Sequence, residues 1–278
     1  MKATLIGRGT WGKKLVPYIE KRFDLVSVQG KGYEIPANID AVFIATPPET
    51  HYDIAKECLL NKKHVFCEKP LTMRYGDGIK LSYLARKLNK VLYTDYLETT
   101  APSRIKMVEL APNIGLIHKI YAVTLQHGKF ADHSVAWQLA SHQLSMLSLF
   151  CDLSKINFSI EKNNGTGEKI FDYCIISGKN FEIDQKIFLT ASRKKFEREK
   201  KFMIAGDRGT VTYDKYRGST ITYFDKRISK YDYFRYDEDN NIEYSIDRFI
   251  DCIENGAESN IEMSLTITKI LEKLHESC

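Results

Sequence analysis

Residues 3–12 read Ala3-Thr4-Leu5-Ile6-Gly7-Arg8-Gly9-Thr10-Trp11-Gly12, an apolar run that leads directly into a glycine-rich turn. The apolar run predicts a buried strand, and the residues after the turn predict an amphipathic helix over 11–21. The spacing G-x-G-x-x-G at a strand-to-helix junction allows a tight turn, a close approach of the backbone to a pyrophosphate, and close helix packing. This stretch therefore predicts a parallel α/β sheet that binds a dinucleotide at the N-terminus of its first helix.

The pattern of strands and helices changes along the chain. Up to residue 116, short apolar runs alternate with helical patterns, which is typical of a parallel sheet covered by helices. The predicted strands there are 3–6, 25–28, 41–45, 64–67 and 91–94, and the predicted helices are 11–21, 52–60 and 78–88. Later, strands and polar turns follow one another at a spacing of about ten residues, with helices at 137–150, 241–255 and 263–276.

We therefore predict an α/β fold with two domains. Residues 1–116 form a Rossmann domain with a doubly wound parallel sheet. Residues 117–278 form an α+β domain with an open, mostly antiparallel sheet.

Composition limits the class of protein. The 278 residues are 43% hydrophobic and 28% charged, which is ordinary for a globular protein. The net charge of +5 is spread along the chain, apart from the run Arg193-Lys-Lys-Phe-Glu-Arg-Glu-Lys-Lys201. Because acids interrupt the bases of this run, we interpret it as a solvated strand face and expect no nucleic-acid partner.

The chain has neither 18 consecutive apolar residues nor a signal-peptide pattern, so we expect a cytoplasmic protein with no membrane partner. Six cysteines lack any Cys-x-x-Cys pair, and we expect them to be free thiols. No spacing of histidines matches a zinc motif, so we expect no metal.

Cofactor choice depends on the end of the second predicted strand, where an NAD site usually places an acidic residue for the ribose hydroxyls. This chain has Val28-Gln29-Gly30-Lys31 instead. Because Lys31 or Arg8 could pair with a 2′-phosphate, the sequence favours NADP over NAD. The alternative is that Lys31 is only a solvated loop cation.

A second informative pattern is Ile44-Ala-Thr-Pro-Pro-Glu-Thr-His51 followed by Lys63-His-Val-Phe-Cys-Glu-Lys-Pro-Leu-Thr72. It resembles the signature of the glucose-fructose oxidoreductase / inositol dehydrogenase (Gfo/Idh/MocA) family. Residues 137–147, 204–211 and 248–256 also resemble that family, the first of them in its nucleotide-sugar branch. The resemblance spans nearly the whole chain. It implies an NAD(P)-dependent oxidoreductase that transfers hydride between nicotinamide and a sugar or nucleotide-sugar.

Lys69 is the main catalytic candidate. It follows a predicted parallel strand, and ligands bind beyond the carboxyl ends of such strands. Its ammonium group can donate a proton to a carbonyl oxygen or stabilise a developing alkoxide. Glu68 could position or tune this lysine, and Pro70 could fix the turn.

His142 is the second catalytic candidate, because the resemblance implies that it faces the substrate with an aspartate one turn earlier. In this chain the earlier residue is Gln138, whose amide hydrogen-bonds a hydroxyl but does not accept a proton as a carboxylate does. Three interpretations stay open: Lys69 and His142 suffice, Tyr96 or His127 assists, or the reaction is a reduction that needs only a proton donor.

The candidate site residues fall into two groups. The predicted cofactor-binding residues are Gly7, Arg8, Gly9, Thr10, Trp11, Gly12, Gln29, Lys31, Thr46, Pro47, His51, Glu68 and Lys69. The predicted substrate-binding residues are Lys69, Tyr96, His127, Gln138 and His142. Asp132 and His133 are equally plausible as substrate contacts and as solvated groups.

Two further hypotheses are weighed against the leading one. The absence of an acid at Gln138 allows a dinucleotide-binding regulator that has lost catalysis, and the broad use of such folds allows a reductase of a non-sugar carbonyl or imine. The resemblance also implies a homodimer or homotetramer that assembles through the open sheet.

Overall fold

A computed structural model describes residues 1–127, 133–162, 170–237 and 241–276. Asp132 and Cys278 lie outside these residues. The chain divides into two compact units: Met1–Leu97 with Asn240–Glu272, and Glu98–Asp239 with Lys273–Cys278.

The first unit contains a five-stranded, fully parallel sheet with the strand order β2-β1-β3-β4-β5. The strands are Lys2–Ile6 (β1), Asp24–Gln29 (β2), Ala41–Ile44 (β3), His64–Glu68 (β4) and Leu92–Asp95 (β5). Its helices are Thr10–Glu20 (α1), His51–Leu60 (α2), Tyr75–Lys87 (α3), Asn241–Glu254 (α6) and most of Ile261–Glu276 (α7). This order confirms the predicted Rossmann sheet. No helix in the described ranges is both long and apolar enough to cross a membrane.

An aromatic cluster forms part of the core of the first unit. Phe43 and Phe66 are fully buried on neighbouring strands with ring centroids 5.0 Å apart. Phe249 of α6 contacts both rings, as well as Phe23 and Tyr93, at centroid distances of 5.5–6.4 Å. Since each such pair contributes about 0.5–1.5 kcal/mol beyond its buried area, α6 is a central part of this core.

The second unit contains an eight-stranded sheet with the order β13-β12-β11-β10-β6-β9-β8-β7. The strands are Ile117–His127 (β6), Asn157–Lys162 (β7), Tyr173–Asn180 (β8), Gln185–Ser192 (β9), Lys194–Gly206 (β10), Gly209–Asp214 (β11), Thr220–Asp225 (β12) and Lys230–Arg235 (β13). All neighbours pair antiparallel except β6 and β9, which are parallel. The predicted mostly antiparallel sheet is confirmed.

The two units do not coincide with the predicted domains 1–116 and 117–278. Helix α4 (Pro102–Leu110), which was not predicted, contacts β11 and β12 and so belongs to the second unit. Helix α6 contacts α1 of the first unit, although the sequence assigned it to the second domain. The second unit is therefore inserted between β5 and α6 of the first.

The predicted helix 137–150 is irregular. Its first part, Ala136–Ala140, is a π-helical turn, and only Ser141–Leu147 (α5) is α-helical. Because hydrogen bonds in a π-turn run from residue i to i+5, the regular one-turn spacing expected between Gln138 and His142 does not apply. Such turns occur frequently at functional sites.

Candidate functional site

The glycine turn after β1 is shaped by close backbone contacts. Gly7 has φ +128°, and a Cβ placed on it would lie 2.2 Å from the carbonyl oxygen of Ala45. A Cβ on Gly12 would lie 2.0 Å from the Gly7 carbonyl oxygen. At Gly9, by contrast, a Cβ would meet nothing within 4 Å. The turn is thus tightly packed at two glycines and open at the third.

The N-terminus of α1 leaves its backbone N–H groups available. Gly9 precedes the helix without a side-chain cap, and the first turn contains no acidic residue. Both Gly9 and Thr10 are exposed. A helix end with free N–H groups and no nearby carboxylate favours a phosphate group. The turn therefore fits the pyrophosphate of the predicted dinucleotide.

The side chain of Arg8, from the glycine turn, packs at the end of β2. A Cβ on Gly30 would lie 2.6 Å from Nε of Arg8, so the guanidinium group lies directly against this glycine. Lys31 is exposed. Of the two cations considered for a 2′-phosphate, Arg8 is the one packed against Gly30 at the end of β2.

Gln29 supports the loop that follows β2. Its amide nitrogen donates to Ser27 Oγ (2.9 Å) and to the Glu34 carbonyl oxygen (2.8 Å), and its amide oxygen accepts from the Glu34 backbone N–H (2.7 Å). These three contacts make Gln29 a structural support of the loop.

His51 joins the two segments of the second sequence pattern. It is fully buried, with Nδ1 2.8 Å from the Pro70 carbonyl oxygen and Nε2 2.9 Å from the Thr46 carbonyl oxygen. Burial lowers the pKa of His51, and a neutral ring has one N–H, which donates to one of these oxygens. The contacts make His51 a link between the loops after β3 and β4. Pro47, on the first of these loops, is exposed.

Lys69 follows β4 at the same edge of the sheet as the glycine turn, because all five strands are parallel. It is half-buried, and its peptide bond to Pro70 is cis. The preceding Glu68 is buried and accepts a hydrogen bond from Nε1 of Trp11, a residue of the first turn of α1. The indole thus connects the glycine turn to the lysine segment.

A second carboxyl group lies beside Glu68. Asp95 at the end of β5 is the register partner of Glu68 across the parallel strands, and both carboxyl groups are buried. Burial raises the pKa of Glu68 well above its usual value, and the neighbouring Asp95 raises it further. Burial also raises the pKa of Asp95 to about 6.

His142 of the second unit lies near a buried carboxylate of a different kind. Glu98 accepts hydrogen bonds from Arg104 and Lys200, and both Glu98 and Arg104 are buried. Burial alone would raise the pKa of Glu98, but the charges of Arg104, Lys200 and His142 hold it well below its usual value. The Arg104 guanidinium group also lies 3.6 Å from the ring centroid of Tyr213.

Gln138 contacts an arginine. Its amide oxygen accepts from Nη1 of Arg193 at 3.1 Å, and Arg193, 5% exposed, also pairs with Asp172. The interpretation of residues 193–201 as a solvated face is therefore wrong for Arg193 and for Lys200. Arg193 is itself buried and Lys200 reaches the buried Glu98, because alternation along a strand brings some members of a charged run inward.

The remaining predicted substrate contacts are less informative. Tyr96 is fully buried, and burial raises its pKa. His127 is exposed at the end of β6, and the backbone carbonyl of His133 accepts from Arg193. In the described ranges, no group of three or more His, Cys, Asp or Glu side chains is placed to hold a metal ion.

Each unit thus brings together part of the predicted site. The first unit places Trp11, Glu68 and Lys69 at one edge of its sheet, and the second places His142 near Glu98. Sequence reasoning missed Asp95 and Glu98. The available signal for Asp95 was its position at the end of a strand next to that of Glu68, since parallel strands end at one edge.

Comparison with known protein families gives a match to the oxidoreductase family with an NAD-binding Rossmann fold (GFO_IDH_MocA) over residues 23–96. The match includes the segment from His51 through Lys69. It confirms the family resemblance predicted from the sequence and the NAD-binding character of the parallel sheet.

Individual relatives share parts of the chain. It is 36% identical over 94 residues to an uncharacterised oxidoreductase of Synechocystis sp., which covers 33% of this chain and 25% of that protein. It is 23% identical over 216 residues to a myo-inositol 2-dehydrogenase of Thermotoga maritima, which covers 71% of this chain and 64% of the dehydrogenase. The chain thus spans less than two thirds of the length of these curated relatives.

Solved structures share the complete fold. The structure of UDP-N-acetylglucosamine 3-dehydrogenase from Acidithiobacillus ferrooxidans aligns with a TM-score of 0.90 at 18% identity, covering 100% of this chain and 97% of that one. At this identity, the alignment shows that the two proteins have the same fold.

Proposed function

We propose that this chain, whose residues 23–96 belong to the GFO_IDH_MocA oxidoreductase family, is an NAD(P)-dependent oxidoreductase of sugars or nucleotide-sugars. The observation that carries the proposal is the position of Lys69. It follows a parallel strand at the same sheet edge as a glycine turn that is open to a pyrophosphate. The substrate class is supported by relatives that are named a myo-inositol dehydrogenase and a UDP-N-acetylglucosamine dehydrogenase.

In the proposed mechanism, the protein binds, orients and moves a proton. A nicotinamide cofactor bound at this turn would supply or accept the hydride. The N–H groups of α1, the open side of Gly9 and the Arg8 guanidinium group would hold its phosphates. In the reduction direction, Nζ of Lys69 donates a proton to the carbonyl oxygen, and in the oxidation direction it accepts one from the hydroxyl. We further propose His142 as a substrate contact.

Replacement of Lys69 tests the proposed function. We expect Lys69→Ala to lower kcat for reduction of a nucleotide-linked ketosugar by about 10²- to 10⁴-fold, because the proton donor is lost. Binding of NADPH, followed by its fluorescence, should change little. Lys87→Ala on the exposed surface of α3 is the matched control. Full turnover by Lys69→Ala would contradict the assignment.

Replacement of Arg8 and of Lys31 tests the choice of cofactor. We propose that NADP is preferred, because Arg8 packs on Gly30 at the end of β2. Arg8→Ala should weaken NADPH binding about tenfold or more and leave NADH binding nearly unchanged, since a charge-assisted hydrogen bond to the 2′-phosphate is lost. Lys31→Ala should leave both affinities unchanged in calorimetric titration. NADH binding tighter than NADPH binding in the wild type would overturn the preference.

The alternative of a regulator without catalysis was motivated by Gln138. Its amide oxygen contacts Arg193, and a carboxylate near His142 is present in Glu98. A regulator would bind NADPH yet turn over none of a panel of UDP- and dTDP-linked ketosugars, inositols and non-sugar carbonyl compounds. Turnover of any panel member excludes it.

We propose that the protein forms a homodimer or homotetramer through its eight-stranded sheet. Sedimentation equilibrium tests this directly. A reducing, cytoplasmic location is supported by the five cysteines in the described part of the chain, all of them free thiols.

A further inference from the structure

Glu68 and Asp95 form a pair of carboxyl groups that the function proposed above does not explain. They are register partners at the ends of β4 and β5. Because side chains at paired positions of neighbouring strands point to the same face, the two groups lie side by side. They are 9% and 1% exposed, respectively. Two adjacent carboxylates with so little water cannot both be ionised at neutral pH without a large electrostatic cost.

A hydrogen bond occupies one oxygen of each carboxyl group. Nε1 of Trp11 donates to Oε1 of Glu68, and the Ser245 hydroxyl donates to Oδ1 of Asp95 at 2.6 Å. Oδ2 of Asp95 is buried and has no hydrogen-bond partner among the described residues. A hydroxyl on Oε2 of Glu68 that donates to Oδ2 of Asp95 satisfies this atom and leaves Oε1 as the acceptor for the indole.

The titratable groups that flank the pair on its own strands are neutral. Cys67 and Tyr93 flank it on β4 and β5, and the pKa values of both are raised, first by burial. Both therefore stay neutral. Lys69 is the cation whose charge acts on both carboxyl groups.

We propose that Glu68 and Asp95 share a single proton, held on Glu68, and that the pair thereby limits the negative charge beside Lys69 to one. This inference rests on the proposed role of Lys69 as a proton donor. Two carboxylates beside the lysine would raise its pKa and make the ammonium group a weaker acid. One shared proton removes half of that charge while keeping the side chains in place. Asp95 is thus a positioning residue that acts through Glu68 and Lys69.

The charge of the pair is measured on the protein without substrate or cofactor. In capillary electrophoresis of the folded protein at pH 7, Glu68→Gln should migrate with the wild type, because Glu68 is already neutral and Asp95 keeps its charge. Glu109→Gln, at an exposed residue paired with Lys106, should shift by one charge. A shift of Glu68→Gln equal to that of the control overturns the shared proton.

If a variant fails to fold, the wild-type protein can still be tested for a protonated carboxyl group. Its infrared spectrum at pH 7 should contain the C=O stretching band of a protonated carboxylic acid, and a spectrum without it overturns the proposal.

The effect on Lys69 is read from its reactivity. Competitive acetylation followed by peptide mass spectrometry gives the pKa of Lys69 from the pH dependence of labelling. The double variant Glu68→Gln/Asp95→Asn should lower this pKa by about one unit, while Glu68→Gln alone leaves it near the wild-type value. An unchanged pKa in the double variant overturns the charge-limiting role. Neither measurement uses turnover, so failure here is distinct from failure of the proposed activity.

Discussion

Glu68 in the first unit and Glu98 in the second are both buried glutamates near a proposed site residue, yet their surroundings are opposite. Glu68 lies beside another carboxyl group, and burial together with that neighbour raises its pKa. Glu98 accepts hydrogen bonds from Arg104 and Lys200, whose charges lower its pKa despite burial. Burial alone therefore does not decide the charge of a carboxyl group; the partners do.

Glutamate therefore has a different role at each of the two positions. A protonated Glu68 is neutral, accepts a hydrogen bond from Trp11 and donates one to Asp95. An ionised Glu98 is the counter-charge for the buried Arg104 and the partly buried Lys200. The same substitution, glutamate to glutamine, should therefore have opposite consequences at the two positions.

The largest effect is expected at Glu98. Glu98→Gln leaves the buried Arg104 and the partly buried Lys200 without their carboxylate, so we expect a loss of about 3–5 kcal/mol in the free energy of unfolding. Urea unfolding followed by circular dichroism measures it. Glu109→Gln, which removes an exposed ion pair on α4, should change stability by less than about 1 kcal/mol. Equal losses of unfolding free energy in Glu98→Gln and Glu109→Gln would show that Glu98 is not a required counter-charge.

A smaller effect, of the opposite kind, is expected at Glu68. Because the folded state holds a proton that the unfolded chain releases, the pair makes stability fall as pH rises from about 4 through the raised pKa values. Glu68→Gln should remove a decline of about 1.4 kcal/mol per pH unit between pH 5 and pH 7, the slope expected for one retained proton. Unfolding in urea at several pH values compares the variant with the wild type. If the free energies of unfolding of the variant and the wild type change with pH in parallel, Glu68 does not hold the extra proton.

The contribution of Glu98 to pH dependence has the reverse sign. Its lowered pKa gives stability that is present above the ordinary carboxyl pKa and is lost as pH falls through the folded value. Wild-type protein should therefore lose this contribution only in acid, below about pH 4.

The smallest effect concerns the hydrogen bond to the indole. Trp11→Phe keeps a ring at the start of α1 but removes the donor to Glu68, so we expect a loss of about 1 kcal/mol. Tyr18→Phe on the same helix is the control for loss of a polar ring atom. A larger loss in the control would show that the indole N–H contributes no specific stability.

The sequence was sufficient to predict the parts of the molecule that depend on local pattern. The turn at Gly7, the order of apolar runs and the block around Lys69 predicted the parallel sheet, the family and the position of the lysine. The sheet and the turn are determined by periodicity and by glycine sterics over a few residues, whereas the family was predicted from the resemblance of the block around Lys69.

The rest depends on contacts between distant residues. The return of α6 to the first unit, the pairing of Glu68 with Asp95 and the contacts of Lys200 and Arg193 all join positions far apart in sequence. Register across strands brings these groups together, and a charged run such as 193–201 gives no sign of which members point inward. The π-turn at Ala136–Ala140 likewise follows from packing, which local propensity does not show.

The position of Phe249 in the aromatic cluster has a consequence for how the protein is made. The rings of Phe23, Phe43, Phe66 and Tyr93 leave the ribosome within the first hundred residues, but the ring that packs against all four follows about 150 residues later. While the second unit is being synthesised, the face of the sheet that α6 covers is exposed apolar surface. Nascent chains that stop before α6 should therefore be the species most prone to aggregate and to bind chaperones.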